Sequence, residues 1–163
     1  MLEGVRDVAL GWAHTCAVTL QDELVCWGSN GFGKLGVGDT SRHDDPVSVM
    51  QGVRSVALGL HHTCAITLDD RLLCWGRNAT GELGLTSSIT RSLVPAEVLL
   101  DDVREVSLGA THTCAVTHDD RLWCWGSNLR GQLGDGSTSA STTPQQVGSD
   151  TDWADFCTGA AHS

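Results

Sequence analysis

The stretch Gly11-Trp12-Ala13-His14-Thr15-Cys16-Ala17-Val18-Thr19-Leu20-Gln21-Asp22-Glu23-Leu24-Val25-Cys26-Trp27-Gly28 decides the fold, because most of it occurs three times. His14-Thr15-Cys16-Ala17-Val18-Thr19 returns as His62-Thr63-Cys64-Ala65-Ile66-Thr67 and again as His112-Thr113-Cys114-Ala115-Val116-Thr117. Cys26-Trp27-Gly28 returns as Cys74-Trp75-Gly76 and Cys124-Trp125-Gly126, at offsets of 48 and then 50 residues. A period of this size belongs to propeller blades or solenoid turns. Gly159-Ala160-Ala161-His162-Ser163 opens the pattern a fourth time.

Each copy reads as short strands. Upstream, Val5, Val8 and Leu10 correspond to Val53, Val56 and Leu58 and to Val103, Val106 and Leu108, an alternation of period two that ends at a glycine. A hairpin follows, with an acidic turn at Asp22-Glu23, Asp69-Asp70 and Asp119-Asp120. A glycine-rich loop and a polar stretch of variable length then lead to Pro46, Pro95 and Pro144. No segment sustains a helical period, so the chain is read as all-β. Both faces of the hairpin are apolar, Val18 and Leu24 on one, Ala17, Val25 and Trp27 on the other, as a sheet sandwiched between neighbours requires. The expected architecture is an incomplete arc of a β-propeller with units at 1–51, 52–102 and 103–152, and the start of a fourth at 153–163. Propellers close with four to eight blades, so a larger parent ring is expected, or association of copies through the open blade faces.

Composition narrows the function. Among 163 residues, 20 acidic side chains face 10 basic ones, a net charge of -10. Nucleic-acid affinity comes mainly from cations displacing counterions, and anionic membranes attract the same cations; neither partner suits this chain. No apolar run is long enough to cross a bilayer as a helix. The opening residues also lack the charged start and apolar core of an export signal.

The motif Gly-x-x-His-Thr-Cys-Ala-Val-Thr, followed by Leu-x-Cys-Trp-Gly-x-Asn-x-x-Gly-x-Leu-Gly, resembles the repeat of the regulator of chromosome condensation family, three times over. The resemblance implies a seven-bladed propeller with four-stranded blades. It also implies a spread of activities: guanine nucleotide exchange or chromatin association, ultraviolet-B perception, and inhibition of a secreted enzyme. Fold does not select among them. The acidic balance departs from a chromatin-binding member. The second cysteine before each Trp-Gly is similar to bacterial, cell-surface versions of the repeat.

Six cysteines form three pairs with equal spacing: Cys16 and Cys26, Cys64 and Cys74, Cys114 and Cys124. A two-residue turn would place the members of a pair on opposite faces. A three-residue loop such as Leu20-Gln21-Asp22 places them opposite each other and stacks Val18 on Leu24; this register is preferred. The pairs are then candidate disulfides, which would indicate an oxidising, extracytoplasmic setting, with buried free thiols as the other reading. The spacing is not that of a zinc site. Cys157 aligns with Ala9, Ala57 and Ser107 and is expected to be an unpaired core residue.

The recurring His14, His62, His112 and His162 are expected to satisfy backbone groups inside each blade, and Trp27, Trp75 and Trp125 to pack. Asn30, Asn78 and Asn128 open no helix, so they are turn residues and not a phosphate loop. Trp12 and Trp123 do not recur, and Trp12 is the best partner anchor. The acidic turns (Asp22, Glu23, Asp69, Asp70, Asp119 and Asp120) are expected to line one rim that, with Trp12, meets a positively charged protein partner. No nucleophile–base pair, metal set or cofactor loop stands out, and the chain is read as a non-catalytic protein-binding scaffold.

Overall fold

The computed structural model describes residues 3–86, 88–151, 153 and 157–160. Its residues form three four-stranded antiparallel sheets, each a meander in chain order. Blade 1 holds β1 (Val5–Leu10), β2 (His14–Thr19), β3 (Leu24–Gly28) and β4 (His43–Met50). Blade 2 holds β5 (Val53–Leu58), β6 (His62–Thr67), β7 (Leu72–Arg77) and β8 (Arg91–Glu97). Blade 3 holds β9 (Val103–Leu108), β10 (His112–Thr117), β11 (Leu122–Gly126) and β12 (Ser141–Gln146). His162 and most of the fourth unit lie outside the described residues.

The hairpin register follows from a three-residue loop. Thr19 N–H donates to Glu23 O at 2.9 Å, and the loop residue Asp22 takes a left-handed φ of 60°. Asp70 and Asp120 repeat that conformation, which aspartate tolerates because its short side chain bonds locally. Val18 therefore pairs with Leu24, and Cys16 with Cys26. The structure joins Cys16 to Cys26, Cys64 to Cys74 and Cys114 to Cys124, each with a Cα–Cα distance of 4.1 Å. Opposed residues at a non-hydrogen-bonded position come this close.

Two inter-blade layers carry most of the described core. Cys16, Val18, Leu24 and Cys26 of blade 1 pack on Ala65 and Trp75 of blade 2. The opposite face of blade 2, Cys64, Ile66, Leu72 and Cys74, packs on Ala115 and Trp125 of blade 3. Gly36 and Gly84, both at positive φ, lie so close to the Trp75 and Trp125 rings that a Cβ there would overlap the indole. The glycine after Leu35 and after Leu83 in the Gly-x-Leu-Gly motif is thus required by both backbone and neighbour.

The first strands β1, β5 and β9 pack against one another near the axis, leaving Leu10 and Val8 of blade 1 exposed. Cys157 is exposed, not buried as its alignment with Ala9 suggested. The reason is position: among the described residues no sheet covers it.

Candidate functional site

The most elaborate polar arrangement in the molecule is the junction between blades, and its parts are the recurring histidine, threonine and tryptophan. His14 Nε2 lies 2.9 Å from Thr63 Oγ1, whose hydroxyl donates to Lys34 O at 2.8 Å. Trp75 Nε1–H donates to the same carbonyl at 3.0 Å. The next junction repeats it: His62 to Thr113 at 3.0 Å, with Thr113 and Trp125 both donating to Glu82 O. Since the threonine proton goes to the carbonyl, the histidine must be the donor at Nε2, which fixes its neutral tautomer. These histidines therefore tie one blade to the next; they do not satisfy backbone groups inside their own blade. A histidine beside a hydroxyl resembles a nucleophile–base pair, but here both groups are buried and the hydroxyl proton is already committed.

Burial holds His14 and His62 neutral, with pKa values lowered from 6.5 to about 3. A group whose folded pKa is depressed in this way binds protons more readily when unfolded, so stability falls as pH drops from 6.5 toward 3. Between pH 7 and pH 5 each of the two should cost about 2 kcal/mol, a window that ends above the ordinary carboxylate range. Urea unfolding at the two pH values measures the loss, and His62→Gln should reduce it; an unchanged midpoint would contradict the buried neutral state.

A second junction element escapes a reading of the motif. Arg6 Nη2 reaches across to donate to Val53 O at 2.8 Å, and Arg54 Nη2 to Val103 O at 2.7 Å. Arg104 does the same to Trp153 O. Each arginine also pairs with the third loop residue of its own blade: Arg6 with Asp22, Arg54 with Asp70 and Arg104 with Asp120, at 2.7–2.9 Å. The signal was present in the sequence, since Val5-Arg6, Val53-Arg54 and Val103-Arg104 recur in register.

The remaining turn carboxylates are engaged as well. Asp69 pairs with Arg71 and Asp119 with Arg121, while Glu23 accepts a hydrogen bond from Ser48. Hydrogen bonds from Thr67 and Thr117, ahead of the arginines, hold Asp69 and Asp119 below the usual carboxylate range. The acidic rim is therefore interleaved with arginine and not an uncompensated negative stripe. Nor does it include Trp12. That residue precedes β2 and the Asp22 turn follows it, so a six-residue strand, about 20 Å long, separates them. They lie on opposite faces of the arc.

The Trp12 face is built differently. Trp12 is 79% exposed and borders a concavity of about 350 Å³ around the axis, formed with Leu10, Leu58, Leu60, Leu108 and Ala110. The loops after β3, β7 and β11 rise on the same face, as the hydrogen bond from Ser29 N–H to Ala13 O shows. Each is clamped by its asparagine: Asn30, Asn78 and Asn128 accept through Oδ1 from the N–H of Leu35, Leu83 and Leu133. Phe32 and Leu129 are exposed on two of them. Trp75 and Trp125 are fully buried, whereas Trp27 is half-buried. Among the described residues no group of three or more His, Cys, Asp or Glu is placed to hold a metal ion.

Comparison with known proteins agrees with this architecture. Over residues 22–66, 69–116 and 119–163 the chain matches a family model described as the regulator of chromosome condensation (RCC1) repeat, and a second model of that description matches 5–34, 53–82 and 103–132. The ultraviolet-B receptor UVR8 of Arabidopsis thaliana is 40% identical over 45 residues, 28% of this chain and 10% of that protein. The E3 ubiquitin-protein ligase HERC2 of Homo sapiens has the same identity over the same length, 1% of its own sequence. Among solved structures, Prp20p of Saccharomyces cerevisiae superposes with a TM-score of 0.84 at 24% identity, over 93% of this chain and 40% of that one. Human WBSCR16 superposes equally well at 25% identity, over 95% of this chain and 42% of that one. The chain thus spans about two fifths of these structures and a tenth or less of the curated relatives. With three matched repeats and three four-stranded blades, the chain belongs to the regulator of chromosome condensation (RCC1) repeat family.

Proposed function

We propose that the chain is a non-catalytic, protein-binding arc of a larger propeller, and that the partner docks on the face bearing Trp12. The observation that carries this reading is a large aromatic side chain left 79% exposed beside an apolar concavity, in a molecule whose recurring histidine, threonine and tryptophan groups are engaged in joining blades. Aromatic anchors seated near an apolar centre dominate binding energy at protein interfaces. Protein partners are also the pattern among relatives: Prp20p has been studied for its binding to Gsp1p and histones, and its structure is known with Kap60. Guanine nucleotide exchange and inhibition of a secreted enzyme are both special cases of such binding.

Three disulfides favour an oxidising, extracytoplasmic setting, in keeping with the likeness to bacterial cell-surface repeats. The exposed Val8 and Leu10 of β1 suit a further blade, supplied by the parent ring or by a second copy.

Affinity capture followed by quantitative binding tests the docking face. Trp12→Ala should weaken a captured partner by about 2 kcal/mol, roughly thirtyfold, without lowering stability, since the side chain is solvent-exposed. Equal binding by Trp12→Ala and the unaltered chain would move the interface elsewhere.

A further inference from the structure

One region breaks the repeat where the rest of the molecule keeps it. The linker entering blade 3 carries Asp101-Asp102 where the linkers entering blades 1 and 2 carry Glu3-Gly4 and Gln51-Gly52. The equivalence is structural: Leu20, Leu68 and His118 N–H donate to Gly4, Gly52 and Asp102 O respectively. Gly4 and Gly52 sit at φ 66° and 74°, and Asp102 occupies the same left-handed region at 54°, so a carboxylate stands where the backbone favours glycine. On the facing hairpin, His118 replaces Leu20 and Leu68, and Trp123 replaces Val25 and Leu73.

Asp102, His118 and Trp123 meet in one cavity of about 470 Å³ together with Asp101, whose acidic character Glu3 shares, and Leu100 and the Asp119–Arg121 pair line its wall. Repeated positions hold the blades together. Of the departures, Trp123 packs on the layer between blades 2 and 3 as Leu73 does on the layer before it, and His118 reaches Asp70 of blade 2, whereas the Asp101 and Asp102 carboxylates join no seam. The carboxylates in the hairpin turns of all three blades are matched by arginine or, for Glu23, by Ser48. Asp101 and Asp102 are exposed and have no ion-pair or hydrogen-bond partner for their carboxylates among the described residues. Trp123 Nε1 is buried without an acceptor, whereas Trp75 and Trp125 each donate to a carbonyl. His118 is turned back onto Asp70 at 3.2 Å. The cavity thus combines two uncompensated carboxylates with an indole and an aliphatic wall, in a chain of net charge -10.

We propose that this cavity receives an arginine side chain of a protein partner, its guanidinium on Asp101 and Asp102 and its stem against Leu100 and Trp123. A guanidinium fits better than an ammonium because it forks onto carboxylates, stacks on an indole and is more weakly hydrated. The site lies on the opposite face from Trp12 and does not rest on the docking surface proposed above.

The experiment uses ¹H–¹⁵N spectra of the full chain titrated with acetyl-Gly-Arg-Gly amide, its lysine counterpart and its citrulline counterpart, which keeps the shape and removes the charge. The arginine peptide should shift the Trp123 indole signal and the amides of Asp101 and Asp102 saturably, and citrulline should bind about tenfold or more weakly. The double change Asp101→Gln with Asp102→Gly restores the blade 2 linker; it should keep or raise the melting temperature and reduce arginine binding at least about tenfold. Absence of a saturable shift, equal binding of citrulline, or unchanged binding by the double variant would each overturn the proposal. Tighter binding of the lysine peptide would overturn the choice of arginine.

Discussion

Reducing the three disulfides should lower the free energy of unfolding by about 8 kcal/mol. Each bridge closes a loop with a sequence separation of 10, for which the loss of unfolded-state entropy is about 3 kcal/mol in the chain-entropy description. The bridges lie in separate blades and share no partner, so their contributions should nearly add. All six cysteines are fully or almost fully buried, and reduction should therefore require unfolding or a strong reductant with denaturant. Urea curves of the oxidised and fully reduced chain measure the difference. Removing one bridge as Cys64→Ala with Cys74→Ala should give about a third of it. A reduced chain as stable as the oxidised one would show that packing alone holds the hairpins.

The second large effect is at Trp75. Its side chain is completely buried between blades 1 and 2, over Gly36, and donates to Lys34 O. Trp75→Ala should cost about 4 kcal/mol, from lost transfer energy and the cavity left behind. Trp27 occupies the equivalent position in blade 1 but is only half-buried, and Trp27→Ala should cost about 1 kcal/mol or less by the same reasoning. The contrast isolates the junction from the residue type. Equal losses at the two positions would mean that the tryptophan stabilises its own blade and not the seam.

The parts of this molecule that were legible in its sequence are those decided within one unit. Period-two alternation located the strands, and the stacking of Val18 on Leu24 selected the hairpin register that sets Cys16 against Cys26. What could not be read are relations between units. His14 finds its partner at Thr63, 49 residues away, and Arg6 finds Val53 O at a separation of 47. No local pattern distinguishes an arginine in the solvent from one spanning a seam. The grouping of Trp12 with Asp22 failed for a related reason: the two are close in sequence, but an intervening strand carries the chain from one face to the other. The cavity at Asp101, Asp102, His118 and Trp123 was half visible. Trp123 stood out as an unrepeated residue, but its meeting with the linker depends on how blade 2 hands the chain to blade 3.

The junction of histidine, threonine, tryptophan and loop carbonyl is the same at both seams, and every donor in it comes from a position that recurs in each unit. Any copy can therefore follow any other. Loss or duplication of one whole copy by recombination within the gene would leave every remaining seam intact, whereas a break in mid-copy would sever one.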